Sequence, residues 1–334
     1  MEEILEKLSE NSVSDGSNSP NSSQFSHYYK SGPTVNDQQK RRETILKDLK
    51  KKRELSFDKN RGHIVKEKQE GDEESMEWKN THSTKKKKWY SKDYQNKLMF
   101  SEWLIEVPED FQENWLCLPC PKGHRALVAA TKENTEVYTK YGCLQARFQS
   151  CLPSGSRGNF DGDTILDCIW NFACKQYYVL DVLQWAGRDL TECEAQFRFF
   201  WLKSKFDELP KLRTANEHNK YPIEPLQYYD CSRLNDLARE LYEFPVTSSQ
   251  TSSPGVDGLL FYHKEYIYEA GFTPLVGWLK PYMLPEILSI TWIHPEYLKE
   301  KPHDYTTLAD HIDDSKKQKR NWWSVKRFNS NEKS

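Results

Sequence analysis

Two cysteines three residues apart are the first candidates for chemistry in this 334-residue chain. A Cys-x-x-Cys pair, here Cys117 and Cys120, can form a redox couple or supply half of a tetrahedral zinc site. A zinc site needs a second such pair or two nearby histidines, and the sequence supplies neither. The segment Gly155–Gly158 lacks the Gly-Lys-Ser/Thr ending of a phosphate-binding loop and is interpreted as a plain loop. We therefore predict no metal and no cofactor.

Aromatic side chains are the second candidates, because the chain has 11 Trp, 18 Tyr and 15 Phe. An exposed indole at the mouth of a loop can stack on a nucleobase or attract a cationic ring. Trp278 is a candidate because it lies between a glycine and a leucine in an apolar run. The alternative is that Trp278 belongs to the core, where such a residue is more often found, and Trp103 is equally ambiguous.

Positive charge is concentrated in one segment, although the formal net charge is −2. Residues 40–61 contain ten Lys or Arg against four Asp or Glu. Ile45 and Leu49, one helical turn apart, predict a helix from Asp37 to about Arg61. Its thin apolar stripe leaves it little to pack on alone, so we expect it to order on an acidic partner. That partner is either nucleic acid or an acidic protein groove; a solvated charged helix is the third alternative.

A shorter amphipathic helix is predicted at Met1–Asn11, where Ile4, Leu5 and Leu8 share one face. These residues either fasten the segment to the body of the protein or form a leucine-rich export signal. Such a signal docks as an amphipathic segment in a hydrophobic groove. A Ser- and Asn-rich linker follows the helix.

Strand patterns dominate from Leu98 to about Tyr297, in short runs bounded by turn residues. The fold class is therefore predicted to be α+β, with mainly antiparallel connections and one sizeable core. The clearest helix in this region is Ser232–Glu243. The predicted strands are Trp115–Leu118, Ala126–Ala130, Thr164–Trp170, Tyr177–Leu183, Phe197–Trp201, Gly258–His263 and Leu275–Leu279.

The chain has no apolar run long enough to span a bilayer and no secretory signal at its N-terminus. Its eight cysteines are mostly scattered singly, as free thiols of a reducing compartment would be. We expect a soluble intracellular protein of the cytoplasm, the nucleus or both, with no membrane partner.

The basic segment resembles the importin-β-binding domain of nuclear import adaptors over residues 24–65. In that family a long basic helix lies inside the acidic superhelix of importin-β. The residues that the resemblance assigns to importin-β are Lys40, Arg41, Arg42, Lys50, Lys51, Lys52, Arg53, Lys59 and Arg61.

The folded region is similar to the cap-binding domain of the snurportin family. The stretches that carry the resemblance are Met99–Pro108, Tyr177–Val182, Val256–Lys264 and Thr273–Met283. The resemblance implies a receptor for the trimethylguanosine cap of spliceosomal small nuclear RNAs. It also implies a shuttling import adaptor that an exportin recycles, which favours the export-signal interpretation of Ile4, Leu5 and Leu8.

The fold implied is that of mRNA guanylyltransferases and nucleic-acid ligases, without their chemistry. Those enzymes form a lysyl–nucleotide intermediate from a Lys-x-Asp-Gly segment. Cys120 stands here where the nucleophilic lysine would be, and Lys122 replaces the aspartate. Asp181 and Asp257 remain, but two separated carboxylates do not supply an activated nucleophile. We therefore predict no enzyme. The alternatives are an active guanylyltransferase or ligase, and a general RNA-binding protein that uses its basic helix.

The resemblance also gives each cap residue a role. Trp278 and Phe100 form the two walls of a stacking slot, although the family more usually has leucine at the second position. Trp103 supplies an apolar wall for the two N2 methyl groups. These methyl groups replace the amino hydrogens of guanine that would otherwise donate hydrogen bonds to a carboxylate. Arg125 and Lys140 meet the phosphate bridge. The complete predicted set is Phe100, Ser101, Trp103, Cys120, Arg125, Lys140 and Trp278.

Five regions are predicted along the chain. They are a leucine-rich segment and linker at 1–23, the importin-β-binding helix at 24–65, a charged linker at 66–93, the cap-binding domain at 94–298 and a disordered basic tail at 299–334.

Overall fold

The computed structural model describes residues 38–63, 90–243, 255–291, 293–315 and 317. The predicted export signal, with Ile4, Leu5 and Leu8, lies outside these residues, as does most of the two predicted linkers.

Thirteen strands lie within the described residues. They are β1 Tyr90–Gln95, β2 Met99–Trp103, β3 Trp115–Pro121, β4 His124–Thr131, β5 Asn134–Tyr138, β6 Tyr141–Phe148, β7 Thr164–Asn171, β8 Gln176–Trp185, β9 Arg188–Asp189, β10 Ile223–Pro225, β11 Tyr229–Asp230, β12 Val256–His263 and β13 Gly271–Leu279.

The helices are fewer and mostly short. They are α1 Gln38–His63, α2 Phe111–Asn114, α3 Ala195–Glu208, α4 Leu234–Glu243, α5 Leu284–Leu288 and α6 Pro295–Leu298. A further helical stretch covers 308–315. Across the described ranges, no helix is both long enough and apolar enough to cross a bilayer.

The strands form two sheets. One has the order β1-β6-β5-β4-β7-β8-β10, with β9 beside β8; the other has the order β11-β3-β12-β13-β2. Neighbours are antiparallel except for β10 with β8 and β13 with β2. The predicted α+β class with mainly antiparallel connections is therefore confirmed. The predicted helix at Ser232–Glu243 is also confirmed, as α4 and the 3-10 turn before it.

Two apolar clusters fill the interior. The smaller one lies between the first sheet and α3, where Leu202 and Phe206 pack on strand residues such as Val128. The larger one covers the five-stranded sheet and includes Trp115 and Trp278. The cluster that holds the candidate site is therefore the larger one.

The prediction of a strand at Phe197–Trp201 is wrong, because these residues lie inside α3. Three consecutive aromatic residues favour a strand locally. The buried positions of α3 instead follow helical spacing, with Phe199, Leu202 and Phe206 on the side that faces the interior.

The predicted disorder of the tail is wrong for residues 299–315. Tyr305, Leu308 and Ile312 are buried in the larger cluster. Glu286 holds the segment in place: its carboxylate accepts hydrogen bonds from the Tyr305 hydroxyl at 2.6 Å and from the Leu308 amide at 2.9 Å. Tyr305, Leu308 and Ile312 stand at i, i+3 and i+7, the spacing of one helical face, and sequence reasoning missed this signal.

Helix α1 spans nearly the predicted residues, but the expectation that it lacks a packing surface is wrong. Leu49 is buried in the larger cluster, and Ile45 and Leu46 pack against it. The helix therefore lies on the folded domain. Acidic side chains and carbonyl groups of the domain bind the basic residues of the helix and add to the contacts of its thin apolar stripe.

Candidate functional site

Four of the seven predicted cap residues lie on the neighbouring parallel strands β2 and β13. Trp103 of β2 is the register partner of Trp278 of β13. Cys120 lies opposite Gly258 on the pair β3–β12, one strand further along. A Cβ atom at Gly258 would lie 2.3 Å from Cζ2 of Trp278, so only glycine lets the indole lie this close. The structure thus brings Phe100, Ser101, Trp103, Cys120 and Trp278 onto one stretch of sheet, with Phe100 turned by the alternation of β2 to the face opposite Ser101 and Trp103.

The two tryptophans are covered. Trp278 is 0% exposed, which contradicts the expectation of an exposed indole at a loop mouth. Trp103 is buried as well, and the His311 ring meets it edge-on with 5.7 Å between ring centroids. Both residues therefore occupy the core position that was the alternative interpretation, and segment 305–312 forms part of the cover.

Phe100 and Lys140 form the more open corner of the site. Lys140 follows β5, and its Nζ lies 5.8 Å from the Phe100 ring centroid and 4.8 Å from that of Tyr141. The Phe272 ring lies 5.1 Å from Phe100 and is 46% exposed. A cationic group and aromatic faces thus meet where solvent reaches them. Sequence reasoning missed Phe272, which faces Phe100 through the β2–β13 register.

Arg125 lies in the interior, away from the surface expected of an isolated arginine. Its guanidinium forms a two-pronged ion pair with Asp167, and both side chains are buried. Its Nη2 also donates to the Met99 carbonyl oxygen at 3.0 Å. The Tyr268 hydroxyl donates to Asp167 at 2.7 Å and accepts from the Met99 amide at 3.1 Å. The pair therefore fixes the start of β2, one residue before Phe100.

Near the site, the buried polar atoms Ser101 Oγ and Asp257 Oδ2 lack a hydrogen-bond partner within the described residues. Each could bind a polar group of a ligand, since an unsatisfied buried acceptor or donor is costly. The other Asp257 oxygen accepts from Lys280 Nζ at 2.7 Å. Lys280 was also missed; its place two residues after Trp278, on the same side of an extended chain, was the available signal.

The two carboxylates left from the nucleotidyltransferase pattern, Asp181 and Asp257, are each paired with a cation, and so is the neighbouring buried Asp167. Asp257 meets Lys280 and Asp167 meets Arg125, as described above. Asp181 accepts two bonds of 2.8 Å from Arg198. In the part of the chain that the structure covers, no three His, Cys, Asp or Glu side chains converge as a metal site. Cys117 and Cys120 are three apart on β3, which directs them to opposite faces of the strand.

Burial raises the pKa of the Cys120 thiol well above its usual range. A thiol in that state stays protonated near neutral pH, and the thiolate is the nucleophilic form. Cys120 is thus an apolar wall residue in its present surroundings.

The nine predicted importin-β residues all lie on α1, but their surroundings differ. Arg42 is buried, Arg41 and Arg53 are half-buried, and Lys50 and Lys51 are exposed. Lys40 and Lys52 are also exposed. The side chains of Lys59 and Arg61 lie outside the described set, although their backbone is helical.

Comparison with known proteins gives two kinds of match. The family model described as Snurportin1, m3G cap-binding domain, matches residues 97–281, more than half of the chain. The solved ligase domain from M. tuberculosis LigD is similar at 13% identity and a TM-score of 0.36, over 54% of this chain and 58% of that one. The ATP-dependent DNA ligase from bacteriophage T7 is similar at 11% identity and a TM-score of 0.35, over 57% of this chain and 70% of that one. The chain thus spans less than two thirds of the LigD ligase domain.

Proposed function

This chain belongs to the snurportin family, and on that premise we propose that it is a nuclear import adaptor that binds the trimethylguanosine cap of spliceosomal small nuclear RNAs. In the proposed cycle, the folded domain holds the capped RNA particle and helix α1 recruits importin-β. An exportin then returns the chain, which shuttles between nucleus and cytoplasm.

One observation carries the cap proposal: the family match contains all seven predicted cap residues, and five of them, Trp278 included, lie on strands β2, β3 and β13 of one sheet. Methylation at N7 gives the guanine ring a delocalised positive charge, which the face of an indole attracts by about 0.5–2 kcal/mol. Stacking adds roughly 1–3 kcal/mol per base. An aromatic slot with an apolar wall suits a base that has lost both amino donors.

Because Trp278 is buried, the site must open before a base can stack on it. A base can approach through the open corner at Phe100 and Lys140, where Phe272 is exposed. It reaches Trp278 only after segment 305–312 has moved away from Trp103. Cap binding therefore includes an opening step, and Lys140 is placed to meet the phosphate bridge at the entrance.

The test is a fluorescence titration with trimethylguanosine and monomethylguanosine cap dinucleotides. Trp278→Leu removes an aromatic face while keeping apolar volume, and Phe100→Ala removes the side chain expected on the other side of the base; each is expected to weaken trimethyl-cap binding roughly tenfold or more. Trp201→Leu, on α3 outside the site, is the matched control and should leave affinity unchanged. No preference for the trimethyl cap, or no loss in the two site variants, overturns the proposal.

The importin-β proposal is supported by the density of basic residues along α1. The rival is that the same helix grips RNA phosphates, which predicts steep salt dependence and indifference to cap methylation. Titrating the full chain with importin-β and with uncapped RNA separates the two. Tight importin-β binding with weak RNA binding supports the adaptor; the reverse supports the rival.

The exportin proposal rests on Ile4, Leu5 and Leu8. Leu5→Ala combined with Leu8→Ala should reduce exportin binding, because the apolar face that enters the groove is truncated. Equal binding by the wild type and the double variant would remove this step from the cycle.

We also propose that the chain performs no nucleotidyl transfer. Cys120 stands in the place of the nucleophilic lysine, and the three carboxylates named above are neutralised by their own cations. Incubation with labelled GTP and a divalent metal should leave no label on the protein. A stable covalent guanylate would show that the chain is an enzyme.

A further inference from the structure

Two exposed aromatic rings lie close to the ammonium group of Lys140 at the open corner of the site. Tyr141 is 58% exposed, and its ring centroid lies 4.8 Å from Lys140 Nζ. Phe272 is 46% exposed and packs on Phe100, whose ring centroid lies 5.8 Å from the same Nζ. Single exposed aromatic residues are ordinary on protein surfaces. Two of them beside one cation, at the edge of a candidate ligand site, suit a ligand that has both flat rings and negative charge.

The turn between β5 and β6 fixes the position of Tyr141. The Thr139 hydroxyl oxygen accepts hydrogen bonds from the Tyr141 and Cys143 amides, both at 3.2 Å. The Gly142 amide donates to the Thr139 carbonyl oxygen at 2.9 Å. Gly142 has a φ of +75°, and a Cβ atom there would overlap the Ser91 carbonyl oxygen, so the turn requires glycine. Tyr141 is therefore presented to solvent on an ordered backbone.

Phe272 reaches the same corner from the other sheet. It is the register partner of Phe100 on the parallel pair β2–β13, and the two ring centroids are 5.1 Å apart. The turn before β2 joins this place to Lys140, because the Asn96 amide donates to the Lys140 carbonyl oxygen at 2.8 Å. Lys97, the next residue, is exposed and adds a second positive charge to the corner.

This combination is typical of sites for single-stranded nucleic acid. Bases stack on exposed aromatic faces, and cationic side chains meet the phosphates. The position of the corner selects the ligand further. Lys140 lies at the entrance of the proposed cap slot, so the RNA strand attached to a bound cap must pass Tyr141 and Phe272. An acidic protein segment would use the lysines but would leave both aromatic faces unused.

We propose that Tyr141, Phe272 and Lys97 form a second binding site, which holds the single-stranded RNA downstream of the cap. One or two bases stack on the two rings, and Lys97 lies beside the phosphates that join them. The proposal rests on the proposed function, because it places the entrance of the cap at Lys140. The protein then binds capped RNA more tightly than the isolated cap. It shows little preference for base sequence, because every base has a face that can stack.

The test compares two ligands of the full-length protein. One is a trimethylguanosine-capped pentaadenylate, and the other is the trimethylguanosine cap dinucleotide with adenosine as its second nucleoside. A change in the cap slot affects both ligands, so the ratio of the two affinities isolates the second site. We expect a ratio of about ten for the wild type. Tyr141→Ala and Phe272→Ala should each lower this ratio roughly threefold or more, because each removes a stacking face.

Two variants control the comparison. Tyr141→Phe keeps the aromatic ring and should keep the ratio. Phe200→Ala removes a ring of matched exposure, 59%, on α3 outside the corner, and should also leave the ratio unchanged. Because Tyr141 and Phe200 are both exposed, their substitution removes no core packing. Added salt should lower the wild-type ratio, since the extra contacts include phosphates.

The outcomes separate this proposal from the cap proposal. Equal affinity of the wild type for the two ligands would overturn the second site, would leave the cap proposal intact and would make a protein segment the occupant of the corner. A ratio that responds to neither Tyr141→Ala nor Phe272→Ala would overturn the second site as well. If the wild type shows no preference for the trimethyl cap, uncapped pentaadenylate decides. Binding of that RNA that falls in both variants supports the second site and refutes only the cap proposal, whereas unchanged binding refutes both.

Discussion

The buried ion pair between Arg125 and Asp167 gives the sharpest prediction. Arg125→Met keeps the length of the side chain but removes two charge-assisted bonds to Asp167 and one bond to the Met99 carbonyl. Asp167 is then left in the interior with only the Tyr268 hydroxyl. Breaking a buried pair by removing one partner costs about 3–5 kcal/mol. We expect a loss of that size in the free energy of unfolding, measured with urea at neutral pH.

The loss should depend on pH. Burial raises the pKa of the Asp167 carboxyl, and the Arg125 guanidinium opposes that rise. Without the guanidinium, the folded-state pKa lies further above the unfolded value, so the folded state binds the proton more tightly. Stability then falls as pH rises through the window between the two pKa values. The destabilisation caused by Arg125→Met should therefore be smaller at about pH 5 than at about pH 8.

Two variants control this experiment. Arg125→Lys keeps the charge but not the two-pronged geometry, and should lose less stability than Arg125→Met. Adding Asp167→Asn to Arg125→Met removes the orphaned charge and should restore part of the loss. A loss below about 1 kcal/mol for Arg125→Met, or the same loss at both pH values, would refute the reasoning.

Three other predictions concern the same site. Gly258→Ala should lower the free energy of unfolding by about 1–3 kcal/mol and alter the near-UV circular dichroism, because the new Cβ overlaps the Trp278 indole. Unchanged spectra would contradict this packing. In the native protein a thiol reagent should modify exposed Cys143 rapidly and buried Cys120 only after unfolding, and equal rates would contradict the burial of Cys120. Lys140→Ala should weaken trimethyl and monomethyl caps alike, by about tenfold or less, since the phosphate bridge is common to both; a loss confined to one cap would place Lys140 at the base.

Local pattern was sufficient for α1 and for six strands, but it left β1, β2, β5, β6 and the short β9, β10 and β11 unpredicted. The turn residues that bound β4, β7 and β12 mark these strands in the sequence, and the spacing of Ile45 and Leu49 marks the helix. The aromatic run in α3 led to a wrong strand prediction. This segment is helical because it packs on the apolar face of a sheet that other segments form. Propensity is a weak guide where such packing decides.

The surroundings of the site residues could not be predicted in the same way. Trp103 and Trp278 are far apart in the chain and meet through one parallel strand pair. The family resemblance selected both residues, but not the cover over them, because that cover comes from the segment around His311. Arg42 likewise reads as a solvated charge in the sequence, and its acceptors belong to β13 and to the chain after β2.

Strand β2 also limits how this sequence can change by insertion or deletion. Its five residues are all buried, and their alternation sends Ser101 and Trp103 to one face and Phe100 and Glu102 to the other, where Glu102 accepts two hydrogen bonds from Arg41 of α1. A single residue gained or lost between Arg125's anchor at Met99 and Trp103 exchanges the two faces. The glutamate would then enter the aromatic interior while the indole replaced the partner of Arg41. A shift of one residue in β2 therefore disrupts the packing of Trp103 and the contact of Glu102 with α1 together.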